Sequence, residues 1–376
     1  MAQDHNCGTI HIERDGSLIY QTTSTDPNIS NGVPAFIIQE ELDRFQAVWW
    51  SPNTTRLLYE RVDETLVRSL MFVCPGREAA APMKYPVAGT DNHTSQLRLV
   101  IVDGNNCLLR QRIKVLDCGL RSPLKSRYPW VEYISRAGFL NDGKTIWVQV
   151  MNRIQSQAAL IILPESEFEG ITPSGPVAEP CIVKDEISSA WINNHNAIVP
   201  LDGTDSTVEF IYASEQSSNC HLYYISAQIV NNEVAEVHER VVTQGEFSVC
   251  KSTSLVIDKN RRLVYYIANV ATPTEWSVCV SNYDETVAEM RCLTEKGLSF
   301  KGERACHNLC LLPSSGFACW MTSLSQPPQC RYYSLVFSED SVLPSATLVA
   351  QIGLSGYNLP ATVQINDIPV IVEYLS

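Results

Sequence analysis

The sequence has little positive charge and no long apolar run. Its 376 residues contain 28 Lys and Arg against 41 Asp and Glu, which gives a net charge of −13. Nucleic acids and anionic membrane surfaces are bound through basic faces, so this balance argues against both as the main partner. No stretch approaches the ~18 uninterrupted apolar residues of a membrane-spanning helix. We therefore expect neither a nucleic-acid nor a membrane partner.

The cysteines lack the pattern of a secreted disulfide framework. There are 13 of them, an odd number scattered without regular spacing, whereas secreted frameworks are usually even in number and clustered. Residues 1–7 have neither the basic region nor the apolar run of a signal peptide. Together these features favour a reducing, cytoplasmic location in which the thiols are free and mostly buried.

Motifs for covalent catalysis and for cofactors are also missing from the sequence. It has no G-x-S-x-G, no Walker or Rossmann loop and no H-E-x-x-H, and the nearest approach to a nucleophile elbow, residues 353–356, has the wrong spacing. Cys306-His307-Asn308-Leu309-Cys310 resembles half of a zinc site, but a second pair at matching spacing is absent, so buried structural thiols are the preferred interpretation. We predict no catalytic residue, no metal and no cofactor in this chain.

Alternating apolar and polar residues, interrupted by polar turns, dominate the sequence. Residues 97–102 lead into Asp103-Gly104, and similar strand–turn–strand patterns occur at 139–148 and 255–266. An Asp-Gly step between two β-rich runs indicates a hairpin, because Gly accepts the positive φ of such turns. Helical periodicity is confined to residues 39–46. The chain is therefore predicted to be all-β.

These units recur at the roughly 40–50-residue spacing that is typical of four-stranded propeller blades. We predict a β-propeller; a β-sandwich is the alternative, but at this length it would need several domains, and no linker divides the chain. The predicted blade cores are residues 48–64, 96–117, 131–163, 208–227, 254–293 and 308–336. Residues 1–34 are predicted to be the remnant of an earlier blade, 35–350 the propeller, and 351–376 a C-terminal tail with no assigned place.

One polar segment carries the strongest chemical signal. Glu40 and Glu41 are adjacent carboxylates on a predicted helical turn, and like charges this close repel unless a cation lies between them. One interpretation is an acidic clamp that binds a protonated amine by charge-assisted hydrogen bonds. The other is a solvated helix start, where Glu complements the helix dipole. Asp43 and Arg44 could be an ordinary surface pair, and Trp49-Trp50 are assigned to the blade core.

One segment consists of Gln39-Glu40-Glu41-Leu42-Asp43-Arg44-Phe45, followed by Trp49-Trp50-Ser51-Pro52. This segment resembles the double-glutamate region of the dipeptidyl peptidase IV family, in particular its cytosolic branch, dipeptidyl peptidases eight and nine. The resemblance continues in the same order and covers roughly residues 8 to 340. Its further stretches are residues 57–60, 85–90, 131–139, 191–195, 213–215 with 221–223, and 262–266. It implies the N-terminal propeller portion only, with about five to six blades of the family's eight.

The resemblance also implies a function, that of the substrate-recognition and gating propeller of a serine exopeptidase that removes N-terminal X-Pro or X-Ala dipeptides. Glu40 and Glu41 match the pair that holds the free α-amine, so peptide N-termini are the expected partner, and Asp43 and Arg44 receive a supporting role. The family's hydrolase domain has no counterpart here, so we expect the chain alone to be inactive; a non-catalytic interaction scaffold is the alternative. Residues 62–91 match the family's dimerisation arm, which predicts a homodimer, or are a flexible insertion.

Overall fold

Antiparallel β-structure makes up most of what the structure describes. The structure is a computed structural model, and it describes residues 2–4, 8–72, 76, 81–103, 114–171, 180–204, 206–230, 233–252, 255–284, 289–294, 306–312, 315–322 and 329–352. The chain divides into two compact units, Met1–Ile211 with Ile225–Glu239, and Tyr212–Tyr224 with Arg240–Ser376. In these described ranges no helix has the length and apolar character needed to cross a bilayer.

The described residues up to 119 form three sheets. Its elements are β1 (Ala2–Asp4), β2 (Thr9–Arg14), β3 (Ser17–Gln21), β4 (Ile29–Asn31), α1 (Phe36–Leu42), β5 (Val48–Trp50), β6 (Arg56–Asp63), β7 (Ser69–Phe72), β8 (Ala81–Lys84), β9 (Thr94–Asp103) and β10 (Lys114–Gly119). The strand orders are β1-β2-β3, then β10-β9-β6-β4 with β5 also paired to β6, and a separate two-stranded ribbon, β7-β8.

The rest of the chain forms sheets of four consecutive strands. Its elements are α2 (Leu124–Arg127), β11 (Tyr133–Phe139), β12 (Ile146–Met151), β13 (Gln157–Leu163), a 3-10 turn (Glu165–Glu167), β14 (Cys181–Ile187), β15 (Ile198–Pro200), β16 (Thr207–Ser217), β17 (Asn219–Val230), β18 (Glu233–Val241), β19 (Val256–Asp258), β20 (Leu263–Thr272), β21 (Glu275–Asn282), β22 (Met290–Cys292), β23 (Cys306–Leu312), β24 (Gly316–Thr322), β25 (Gln329–Ser338) and β26 (Ser341–Ile352). The sheets are β11–β14, β15–β18, β19–β22 and β23–β26, each in chain order.

Strand β12 shows how these sheets are buried. All six of its residues are buried, although successive side chains of a strand point to opposite faces. On one face Ile146, Val148 and Val150 belong to a large apolar cluster. On the other face Trp147 meets the ring of Phe210 edge-on, with 6.3 Å between ring centroids. Because both faces of this sheet are covered, its strands read as continuous apolar runs rather than as strict alternation.

The predicted strand–turn–strand pattern at residues 139–148 is confirmed, because it joins β11 to β12. Gly143 in this turn has a φ of +68°, a conformation that residues with a Cβ rarely adopt. The carboxylate of Asp142 accepts a hydrogen bond from the backbone two residues later at 2.9 Å. The pattern at 255–266 likewise joins β19 to β20. Strands β9 and β10 also pair antiparallel, and residues 104–113 between them lie outside the described residues.

Two local predictions are wrong. The predicted blade cores 48–64 and 96–117 are not separate, since β5, β6, β9 and β10 belong to one sheet. The chain leaves that sheet after β6, forms the β7-β8 ribbon within residues 62–91, and returns at β9. The predicted helix at 39–46 lies earlier, at Phe36–Leu42, because the chain turns into the left-handed conformation at Asp43.

The all-β architecture of four-stranded sheets is confirmed. Within the described residues, five sheets each contain four strands paired in sequence, one of them with β5 as an additional strand, and a three-stranded sheet precedes them. This number matches the predicted five to six blades. Trp49 and Trp50 are half-buried and pack against apolar clusters, as the assignment to blade core predicts. Of the predicted C-terminal tail, residues 353–376 lie outside the described residues.

Candidate functional site

The acidic pair lies on the short helix α1, which is held to the protein by one apolar face. Ile37, Ile38 and Leu42 are buried and belong to a cluster that includes residues of β6, β11, β12 and β13. Glu40 and Glu41 occupy the remaining face and are exposed. The buried face fixes the helix, and the two carboxylates face solvent.

The C-terminal end of α1 is closed by side chains from distant parts of the chain. Asp43 adopts the left-handed conformation, with φ 49° and ψ 43°, and its backbone N–H bonds to the carbonyl of Ile38. The carbonyl oxygen of Leu42 accepts hydrogen bonds from the guanidinium of Arg136 at 2.9 Å and from the amide of Asn194 at 2.8 Å. The last carbonyls of a helix have no partner within it, so these two donors satisfy the end that carries the acidic pair.

This geometry corrects one interpretation of the sequence. Glu40 and Glu41 lie in the last turn of α1, and its first turn holds no acidic residue. Carboxylates complement the helix dipole only at the N-terminus, and at the C-terminus the dipole disfavours them. The pair therefore does not lie at a helix start, although both carboxylates are exposed to solvent, as that alternative also expects. The cationic Arg136 at the same helix end offsets the charge that the pair brings there.

Arg44 is buried beneath α1 and does not form a surface pair with Asp43. It is 6% exposed, and one of its nitrogens lies 2.6 Å from the carboxylate of the fully buried Glu60. The same nitrogen donates to the carbonyl of Ile134 in β11 at 3.0 Å. The other carboxylate oxygen of Glu60 accepts a hydrogen bond from the hydroxyl of Ser95 at 2.5 Å. Arg44 thus ties the segment after α1 to both β6 and β11.

Arg136 is influenced by the charges of both Arg44 and Asp43. Burial and the neighbouring Arg44 lower the pKa of Arg136 to about 10, while the carboxylate of Asp43 acts in the opposite direction. At neutral pH Arg136 therefore remains a cation. The exposed Asp43 favours the charged form of the arginine that closes α1.

Each glutamate has its own neighbour. The charge of Glu40, together with a hydrogen bond to its carboxylate, raises the pKa of the Tyr85 hydroxyl. The amide of Gln155, in the turn between β12 and β13, donates to Glu41 at 3.4 Å. Adjacent residues on a helix point about 100° apart, so the pair spreads toward different elements. Two such oxygen sets suit an ammonium group, which donates three hydrogen bonds.

The sequence interpretation assigned no role to Tyr85, Arg136, Gln155 and Asn194. Three of them, Tyr85, Arg136 and Asn194, lie inside the stretches that carry the family resemblance. Their place in those stretches was the one sequence feature that could have indicated a role at this site. Gln155 lies outside those stretches. Elsewhere in the described ranges, no group of three or more His, Cys, Asp or Glu side chains is arranged to hold a metal ion.

Residues 10–303 match the family described as the N-terminal region of dipeptidyl peptidase IV, and the chain belongs to this family. The match to this family identifies the four-stranded sheets as blades of a β-propeller. The chain is 28% identical to dipeptidyl peptidase 8 of Mus musculus over 359 residues, covering 84% of this chain and 39% of the relative.

Other relatives show the same partial overlap. Identity to the Homo sapiens dipeptidyl peptidase 8 is 28%, covering 83% of this chain and 38% of the relative. Identity to a probable dipeptidyl peptidase 4 of Emericella nidulans is 27%, covering 69% and 32%. The chain thus spans about two fifths of the length of the mammalian relatives and less of the fungal one.

Proposed function

We propose that this chain is the substrate-recognition and gating part of a serine-type dipeptidyl peptidase, in which Glu40 and Glu41 bind the N-terminal amine of a peptide. The observation that carries the proposal is the placement of the pair. Two adjacent carboxylates are exposed in the last turn of a helix, where the dipole disfavours them. A bound cation would relieve both the dipole effect and their mutual repulsion.

The chemistry of a peptide N-terminus fits this site. An α-amine has a pKa of about 7.7–8.0, so most of it is cationic at neutral pH. Its three N–H groups can be divided between Glu40 and Glu41, with charge-assisted hydrogen bonds to each. An acetylated terminus has neither the charge nor the donors, so the site would select free N-termini and place the first residue of the peptide beside α1.

The structure around α1 supports a fixed site rather than a mobile one. Arg136 and Asn194 hold the end of the helix, and Arg44 anchors the residues that follow it. Binding groups that are positioned in advance lose less entropy when the ligand arrives. Asp43 and Arg44 therefore act on the site through the helix and not by touching the peptide.

The remaining parts of the proposal follow from the family. Removal of X-Pro or X-Ala dipeptides would require a hydrolase domain outside residues 1–376 to supply the nucleophile, acid and base. The β7-β8 ribbon lies within residues 62–91, the stretch for which the resemblance implies a dimerisation arm, and it supports the proposal of a homodimer. The proposed cytoplasmic location is supported by the described cysteine side chains, none of which forms a disulfide.

Binding of matched peptides to this chain tests the proposal. Calorimetry would compare a free-amine Ala-Pro peptide with its acetylated form, using the native chain, Glu40→Gln, Glu41→Gln and the control Glu13→Gln, which alters an exposed carboxylate on β2. Since a charge-assisted hydrogen bond contributes about 1.5–3 kcal/mol, each Gln at the site is expected to weaken binding about tenfold or more.

Three results have distinct meanings. Loss of binding with both site variants and with the acetylated peptide, but not with Glu13→Gln, supports the amine site. Equal binding of the free and acetylated peptides would contradict it. Peptide-independent capture of another protein by the native chain and by both Gln variants would favour the scaffold alternative.

A further inference from the structure

Two cysteine thiols face each other across the neighbouring strands β21 and β22. Strand β21 pairs antiparallel with β22, and in this register Cys279 lies directly opposite Cys292. Their sulfur atoms are 3.4 Å apart. Cys279 is fully buried and Cys292 is half-buried, and no disulfide joins the two in this structure.

The position of the pair in the ladder suits a covalent bond. The backbone N–H of Leu293 donates to the carbonyl of Val278 at 2.7 Å, so residues 278 and 293 form a hydrogen-bonded pair. The next pair along, Cys279 and Cys292, is therefore a non-hydrogen-bonded pair, in which the Cα atoms are about 4.5 Å apart and the side chains are closer. A disulfide requires a Cα separation of about 4.4–6.8 Å, so small side-chain rotations would bring the sulfurs to bonding distance.

We propose that Cys279 and Cys292 are a reversible oxidation site, which forms a cross-strand disulfide on reaction with a low-molecular-weight disulfide such as oxidised glutathione. The thiolate of Cys292 attacks one glutathione sulfur and releases the other as glutathione thiolate, which takes up a proton. Cys279 then loses its proton and attacks the sulfur of Cys292, releasing the second glutathione. Two protein thiols are oxidised, and one glutathione disulfide is reduced to two thiols.

The order of these steps follows from the surroundings of the two thiols. The hydrogen bond to Cys292 and burial hold the pKa of the Cys279 thiol well above its usual value. The thiolate is the nucleophile in thiol–disulfide exchange, so Cys292, which is half-buried, makes the first attack. The reaction is then expected to proceed faster as the pH rises above neutral.

Peptide mapping tests the site directly, because trypsin cuts after Arg291 and separates the two cysteines. The native chain would be treated with oxidised glutathione, alkylated without reduction and digested. We expect peptide 263–291 linked to peptide 292–296, with the loss of two hydrogen atoms and of two alkylatable thiols per chain. Reduction with dithiothreitol should restore both peptides.

The controls distinguish a disulfide formed because the fold places Cys279 opposite Cys292 from unspecific oxidation of cysteines. Cys279→Ser and Cys292→Ser should each abolish the linked peptide, whereas Cys330→Ser, which alters a half-buried thiol on β25, should leave it. Treatment of the chain unfolded in urea should give mixed pairings instead of this one. Both thiols alkylated separately after treatment of the native chain, or glutathione retained on Cys292, would overturn the proposal.

Discussion

Replacement of Arg44 by Met is expected to be among the most destabilising single changes near α1. The ion pair that it breaks is enclosed, since Arg44 is 6% exposed and Glu60 is fully buried. Arg44→Met keeps an apolar stem of similar length but removes the cation that pairs with Glu60, whose carboxylate keeps the hydrogen bond from the hydroxyl of Ser95. Removing one partner of a buried pair costs about 3–5 kcal/mol, because the other charge stays buried without compensation.

A double-mutant cycle separates the ion pair from the packing. Glu60→Leu alone leaves the guanidinium of Arg44 buried without the carboxylate of Glu60. The double variant Arg44→Met/Glu60→Leu removes both charges together. Because a buried pair replaced by apolar residues is often close to neutral, the double variant should lose less than the sum of the single variants. We expect a coupling energy of about 2–3 kcal/mol.

Urea unfolding followed by tryptophan fluorescence provides the measurement, and Lys125→Met provides the control. Lys125 also forms an ion pair, with its nitrogen 2.5 Å from Glu132, but its side chain is 60% exposed. Exposed pairs contribute about 0–1 kcal/mol. If Arg44→Met costs no more than Lys125→Met, or if the two single effects simply add, the anchoring role assigned to Arg44 is refuted.

Two further predictions concern the same unit of the chain. Burial holds the pKa of His93 below its usual value of about 6.5, so the unfolded state takes up the proton first and stability falls as the pH drops below about 6.5. Neither ring nitrogen of His93 has a partner in the described structure, so His93→Phe should keep its stability at pH 7 and lose less than the native chain at pH 5.5; an identical pH dependence of urea midpoints would contradict this. Gly32 has a φ of +75°, and a Cβ there would lie 2.7 Å from Val48, so Gly32→Ala should cost about 2–5 kcal/mol from strain and overpacking. Gly16→Ala, with a similar φ of +74° but open space around it, should cost only the strain of about 1–2 kcal/mol, and equal losses for the two would exclude the packing contribution.

Features that depend on neighbouring residues in the chain could be predicted from the sequence. The all-β character follows from local alternation and turn residues, and the acidic pair is visible as two consecutive letters at Glu40 and Glu41. The strand pattern does not say which strands pair, however. Residues 48–64 and 96–117 therefore looked like two blades, although the chain returns to the same sheet after the β7-β8 ribbon.

The parts of the site that were missed depend on contacts between distant residues. Arg136 and Asn194 reach Leu42 from 94 and 152 positions away in the sequence. Glu60, the partner of Arg44, is 16 positions away. Adjacent opposite charges suggested a surface pair of Asp43 with Arg44, but no local pattern shows that the helix ends at Asp43 and turns Arg44 inward. Sequence order alone carries no such information.

The most direct test of the amine site is a crystal structure of this chain with a free-amine Ala-Pro peptide. We expect the N-terminal nitrogen to lie about 2.7–2.9 Å from carboxylate oxygens of both Glu40 and Glu41, beside the last turn of α1. A peptide bound with its terminal nitrogen away from both carboxylates would contradict the account.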